Sequence, residues 1–264
     1  MRQARRWNND DPEARGGDVA AAEASGGPYA QRPCESTACS EGPQRGIGRY
    51  MIRLYDYLES GNGYKVRLAL HMLETPFERI EMDILRGETR TPEFLAKAPN
   101  GRIPVLELDD GWVLFESNAI VSFFAEGTPL AGVDRWQRAQ ILQWMFFEQY
   151  SHEPNIATLR FWHLAKLLPQ KSATEIEAKQ TWGKAALAVM ERQLSQTPFF
   201  VGDRFTGADI ALFAYTHVAG EGGFDLSAYP AIRRWIVRVE SQPRFVPITY
   251  DFGVKAAPLP GAGT

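Results

Sequence analysis

The sequence predicts a small α/β domain with a mixed sheet, followed by an all-helical domain. Three observations carry this. Short β-type runs alternate with helical stretches from residue 51 to about 125, Pro129 and Gly132 mark a break at 127–134, and helical periodicity dominates beyond it. A chain of 264 residues with 44% hydrophobic content has enough apolar side chain for such a core.

Met51 opens the first domain. Ile52-Arg-Leu-Tyr-Asp56 is a β-type run, and Glu59-Ser-Gly-Asn-Gly63 is a turn. Residues 64–73 then form a helix with a broad apolar face that stops near Thr75-Pro76. Residues 77–82 give a second β-type run, and Thr91-Pro92 suits an N-cap followed by proline at the first helical position. Asn100-Gly-Arg-Ile-Pro-Val-Leu-Glu-Leu108, the turn Asp109-Asp-Gly111 and Trp112-Val-Leu-Phe115 make a hairpin. Glu116-Ser-Asn118 leads into an apolar helix over 119–125, with Ser117 as its candidate cap. Beyond the break, Trp136, Ala139, Leu142, Met145 and Phe146 share one helix face. Residues 176–194 form a long helix, and 208–219 are apolar nearly all round, which calls for central burial. Thr206-Gly-Ala-Asp209 has the form of a capping box. Ile232, Trp235, Ile236 and Val239 follow the spacing of a buried helix stripe.

The domains are therefore expected at 50–127 and 133–248, between a disordered extension over 1–49 and a flexible tail over 249–264. The extension is rich in Gly, Ala, Pro, Ser and Arg without a sustained period; it is either disordered or lies upstream of a start at Met51. Both cysteines, Cys34 and Cys39, lie in it. A net charge of −3 argues against duplex nucleic acid as a partner. The longest apolar stretch, 210–219, is shorter than the ~20 residues of a membrane span, and no basic start with an apolar run opens the chain. A cytoplasmic protein without membrane attachment is the expectation. His71, His152, His163 and His217 show no metal spacing, so no metal is expected. Gly220-Glu-Gly-Gly223 lacks the Lys-Ser/Thr of a phosphate loop and reads as a flexible turn.

Three places carry chemistry. Ser60 and Asn62 stand at a helix N-terminus, where they either cap the helix or receive an anion such as a thiolate. Glu116 and Ser117 pose the same choice. Pro104 belongs at the turn entering a strand; a cis bond there would free the main chain of Ile103 for an extended ligand, whereas a trans bond would merely close a loop.

Taken together, Ser60-Gly-Asn-Gly-Tyr-Lys-Val-Arg67, Asn100-Gly-Arg-Ile-Pro-Val-Leu106, Glu116-Ser-Asn-Ala-Ile120 and Phe205-Thr-Gly-Ala-Asp-Ile-Ala-Leu212 make residues 51–247 resemble the cytosolic glutathione S-transferase family. The resemblance implies a thioredoxin-like first domain that binds glutathione and a helical second domain that completes the pocket for an electrophile, in a homodimer. It implies a cis Pro104, with the Ile103 main chain pairing with the cysteinyl part of glutathione. Glu116 and Ser117 would hold the γ-glutamyl end, and Arg102 the glycine carboxylate. Ser60, then Asn62, then Tyr57 are the candidate donors to the sulfur, with Tyr55 beside Tyr57 in the same fallback role. Tyr150, Arg160, Phe161 and Trp162 are candidates for the second-substrate pocket; Arg160 either holds an anionic or polarised substrate or forms a salt bridge.

No cysteine follows residue 50, which removes protein-thiol chemistry from 51–264. The expected function is conjugation of the glutathione thiolate to a small hydrophobic electrophile. Glutathione-dependent disulfide or peroxide reduction, and a non-catalytic binding module, are the alternatives. Lowering a thiol pKa from ~8.5 by about two units raises its thiolate fraction roughly 25-fold at neutral pH. The accompanying fall in nucleophilicity removes about tenfold of that. Positioning of the electrophile must supply the rest.

Overall fold

The protein is described from a computed structural model, which covers residues 51–253 and 255–256. The extension expected over 1–49, with Cys34 and Cys39, lies outside the described residues.

Strand β1 (Ile52–Asp56) buries Ile52, Leu54 and Asp56 on one face, the period-2 pattern of a half-covered strand. It runs parallel to β2 (Glu78–Glu81) and antiparallel to β3 (Val105–Leu108). The Asp109–Gly111 turn returns the chain into β4 (Val113–Phe115), antiparallel to β3. Helices α1 (Gly61–Met72), α2 (Pro92–Lys97) and α3 (Ser117–Ala125) complete this domain, with Thr91 capping α2 and Pro92 at its start. The mixed sheet and the helices after it bear out the predicted fold class.

Three features differ from the sequence reading. Ser117 does not cap α3; the cap is Glu116 at φ 69°, one residue earlier, and Ser117 is the first helical residue. Of the tail expected over 249–264, residues 249–253 and 255–256 are described, and there β5 (Lys255–Ala256) pairs parallel with β2; the rest lies outside the described residues. The sheet order is thus β4-β3-β1-β2-β5. The broad apolar face of α1 also carries Lys65 and Arg67, both fully buried. A buried guanidinium needs its donors matched. Arg67 meets Asp56 at 2.8 Å, the Leu58 carbonyl at 2.6 Å, and the carbonyls of Ile248 and Tyr250 at 2.8 and 3.2 Å. Arg79 donates to the Asp251 carbonyl at 2.9 Å. These two arginines tie residues 248–251 to α1 and the sheet.

The second domain contains α4 (Arg135–Phe147), α5 (Glu153–Leu164), α6 (Ala173–Leu194), α7 (Gly207–Thr216) and α8 (Pro230–Glu240). All of α7 is buried. Its Thr206–Asp209 capping box is formed, and Asp209 also accepts from Trp235 Nε1 at 2.9 Å and from the Phe200 N–H at 3.1 Å. A π-turn over Glu148–His152 joins α4 to α5. On α4 the expected face is only partly core: Met145 is buried, but Trp136 is 71% exposed, Phe146 69% and Leu142 45%, while Ile141 and Trp144, outside that face, are buried. Periodicity reports an apolar stripe without saying what covers it. Gly220–Gly223 is not a free turn either. Ala219, Gly222 and Phe224 around it are buried, and Glu221 pairs with Arg160.

Two histidines are held neutral. Burial pushes His152 down to about 3 and His217 down to about 4. Both lie below the unfolded value of ~6.5, so acid favours the unfolded chain, and the loss grows as pH falls from about 6.5 toward the folded values. The His217 ring stacks on Phe213 at 4.3 Å, a place phenylalanine can fill. Relative to the unsubstituted protein, H217F is expected to gain about 2 kcal/mol in stability between pH 7.5 and pH 5. Urea unfolding of both proteins at the two pH values checks this; an unchanged gap would mean that His217 titrates normally.

Candidate active site

The turn after β1 is shaped by its contacts with the second domain. Ser60 caps α1 by accepting the Gly63 N–H at 3.2 Å. The Asn62 N–H donates to the phenol oxygen of Tyr215, on α7, at 3.1 Å. A Cβ on Gly61 would lie 2.5 Å from the Tyr215 ring, so only glycine permits this approach. Burial raises the Tyr215 pKa, which keeps the phenol protonated at neutral pH.

Beside this turn lies a cleft of about 460 Å³. One side is polar, formed by Ser60, Asn62, Arg102 and Ile103. The other is largely apolar, formed by Ala157, Phe161, Leu164 and Ala165. Tyr57 also lines it, and burial raises the pKa of its phenol. The Ile103–Pro104 bond is cis, and β3 starts only at Val105, leaving the Ile103 peptide groups outside the ladder. Arg102 is exposed at the rim.

The remaining predicted residues divide. Ser117 and Glu116 flank the cleft without lining it. Ser117 is buried, with Oγ 3.3 Å from Asn62 Oδ1; Glu116 is exposed and accepts from Asn100 Nδ2 at 3.1 Å. Arg160 lines the cleft, but its guanidinium is occupied by Glu221 at 2.7 Å, the Glu59 carboxylate at 3.4 Å and the Glu59 carbonyl. Of its two open readings, the structure gives the salt bridge. Tyr150 and Trp162 do not belong to the cleft. Tyr150 is 87% exposed on the π-turn, and Trp162 packs beneath Lys171 and Lys179 at 4.8 and 5.8 Å. The π-turn resets the helical phase, so sequence spacing could not say which way these rings face. Tyr55 also lies outside, donating to Glu107 at 2.7 Å.

Sequence reasoning missed four residues here: Tyr215 and Glu153, which line the cleft, and the buried pair Lys65–Glu148 at 2.7 Å. Glu153-Pro154 signals only a helix start, and Tyr215 sits within an apolar run. Chemically, the cleft joins the polar side chains of the Ser60–Asn62 turn to apolar side chains of α5, a lining that suits an anion held against an apolar partner.

Residues 51–126 match the N-terminal domain of glutathione S-transferases, and residues 139–243 match their C-terminal domain. The chain belongs to the glutathione S-transferase family. It is similar to a glutathione S-transferase from Pseudomonas fluorescens, at 53% identity and a TM-score of 0.73 over 75% of this chain and 98% of the other. The disulfide-bond oxidoreductase YfcG of Escherichia coli is 32% identical, over 73% of this chain and 92% of its own length. A glutathione transferase of Phanerochaete chrysosporium in complex with oxidized glutathione is 25% identical, with a TM-score of 0.67 over 75% and 94% of the two chains. The thioredoxin-like first domain implied by the sequence resemblance agrees with this family's architecture. No helix among the described residues is long and apolar enough to cross a membrane.

Proposed function

We propose that this protein is a glutathione transferase that conjugates the glutathione thiolate to a small hydrophobic electrophile. One observation carries the reading: the polar turn of Ser60 and Asn62 and the apolar side chains of Ala157, Phe161 and Leu164 line one and the same cleft. The residues fit the tripeptide. The Ile103 peptide groups lie outside the sheet ladder, Arg102 stands at the rim for a carboxylate, Glu116 offers a partner for an α-ammonium, and the main-chain N–H of Ser117 at the start of α3 offers one for an α-carboxylate. Pro104, cis and buried, shapes that edge. Asn62 ranks ahead of Ser60 as donor to the sulfur. The Ser60 hydroxyl accepts from Gly63 and donates its one hydrogen toward the Tyr215 phenol oxygen, whereas Asn62 Nδ2 spends one hydrogen on Glu153 and retains another. In the reaction, the sulfur forms a C–S bond as the leaving group departs with the bonding pair, and the thiol proton passes to solvent.

A second reading, reduction of glutathione disulfides, is supported by the similarity to YfcG. With no cysteine in 51–264, a bound glutathione thiolate would be the attacking group. The exposed Trp136, Leu142 and Phe146 on α4 support a homodimer, and sedimentation decides between one chain mass and two. A cytoplasmic location fits this chemistry. Retention on glutathione resin, followed by turnover of a halonitroarene and of a small glutathione disulfide, tests the assignment. Retention with faster arene conjugation is expected. Retention with disulfide turnover alone would favour the second reading, and passage through the resin without turnover would leave a non-catalytic module.

A further inference from the structure

We infer that Glu153 is a positioning residue, one that locks the Asn62 amide so that its free Nδ2 hydrogen serves the glutathione sulfur. This rests on the reading of the cleft given above.

The inference comes from the direction of a hydrogen-bonded row crossing the two domains. Lys65 Nζ, fully buried and paired with Glu148 at 2.7 Å, has only donors; it lies 3.4 Å from Ser117 Oγ. The Ser117 hydroxyl, accepting from Lys65, donates in turn to Asn62 Oδ1 at 3.3 Å. Asn62 Nδ2 then donates to Glu153 Oε1 at 3.3 Å. Each link has one allowed direction, because the row starts on a group that only donates and ends on a carboxylate that only accepts. An amide with a donor on one side and an acceptor on the other cannot flip. Acceptance by Oδ1 from the Ser117 hydroxyl polarises the amide and strengthens its Nδ2 donors. Without Glu153 the amide could rotate and present Oδ1, an acceptor, to a thiolate.

Glu153 sits at the first position of α5 and lines the cleft. Burial and the Glu148 carboxylate raise its pKa, while Lys65, Asn62 and Arg102 act against this. The other titratable group facing it is the Tyr215 phenol, on α7. Holding Glu153 ionised thus depends on the same row that orients Asn62.

The test uses the full chain with glutathione bound, following the ultraviolet thiolate band against pH, the glutathione Kd, and kcat with a halonitroarene. E153A is expected to lower kcat about tenfold and move the thiolate midpoint up by about one pH unit, with Kd within threefold. E153Q retains an oxygen acceptor and is expected to stay within threefold of the unsubstituted protein on all three readouts. In an Asn62→Ala background, E153A should add less than twofold, since the residue it positions is gone. An unmoved thiolate midpoint in E153A, an E153Q as impaired as E153A, or equal losses with and without Asn62 would each overturn the role. If the unsubstituted protein forms no thiolate band, the reading of the cleft and this inference fall together. If it forms one and E153A matches it, only the inference falls.

Discussion

Alanine at position 63 is expected to cost about 3–5 kcal/mol of folding free energy, the range seen when a buried charge pairing is broken. A Cβ there would lie 1.5 Å from Asp56 Oδ1 and 2.3 Å from its Cγ. The carboxylate has no room to retreat. It is fully buried, with Arg67 Nε at 2.8 Å and Arg79 Nη1 at 4.0 Å. Either the first turn of α1 lifts away from β1, or Asp56 leaves its arginines, and both leave buried charge without a partner. Because Gly63 also supplies the N–H that Ser60 caps, the active-site turn should loosen with it. Urea unfolding measures the loss. Gly220→Ala, with nothing within 4 Å of the added carbon, serves as the control and should stay within about 0.5 kcal/mol. A Gly63→Ala protein as stable as the control would show that the Asp56–Arg67 arrangement yields readily.

Asn62→Ala is expected to lower kcat/KM for arene conjugation about 100-fold, a few-fold through a smaller thiolate fraction and the rest through loss of the sulfur's fixed position against the electrophile. Ser60→Ala should act differently. It removes the α1 cap, costing about 1 kcal/mol of stability, and should lower the rate by less than about tenfold. Steady-state kinetics and unfolding of both variants separate these effects. If Ser60→Ala abolishes conjugation while Asn62→Ala retains it, the order of the two donors is reversed. If both leave glutathione binding and turnover unchanged, neither group meets the sulfur.

The candidate site was partly legible before any fold was in view. The turn of Ser60 and Asn62, the Ile103–Pro104 corner and Glu116–Ser117 are local motifs, and their order along the chain pointed to one family. Arg160 was legible as a residue of interest but not as a salt bridge, since Glu59 and Glu221 are distant from it in sequence and from each other. Tyr150 and Trp162 were assigned to the pocket from neighbourhood alone. The π-turn over Glu148–His152 then directed one to solvent and the other beneath two lysines.

What the sequence determined by itself follows from short-range physics. Side-chain period set strand against helix, Asp-Gly set the hairpin, and the Thr91 and Thr206–Asp209 caps set helix starts. What only the tertiary structure decided concerns partners far apart in the chain. Asn62 meets Glu153 and Tyr215, Lys65 meets Glu148, and Arg67 meets the carbonyls of Ile248 and Tyr250. Burying a charged or polar group is tolerated only where a complementary group arrives from elsewhere, and periodicity carries no record of which group arrives.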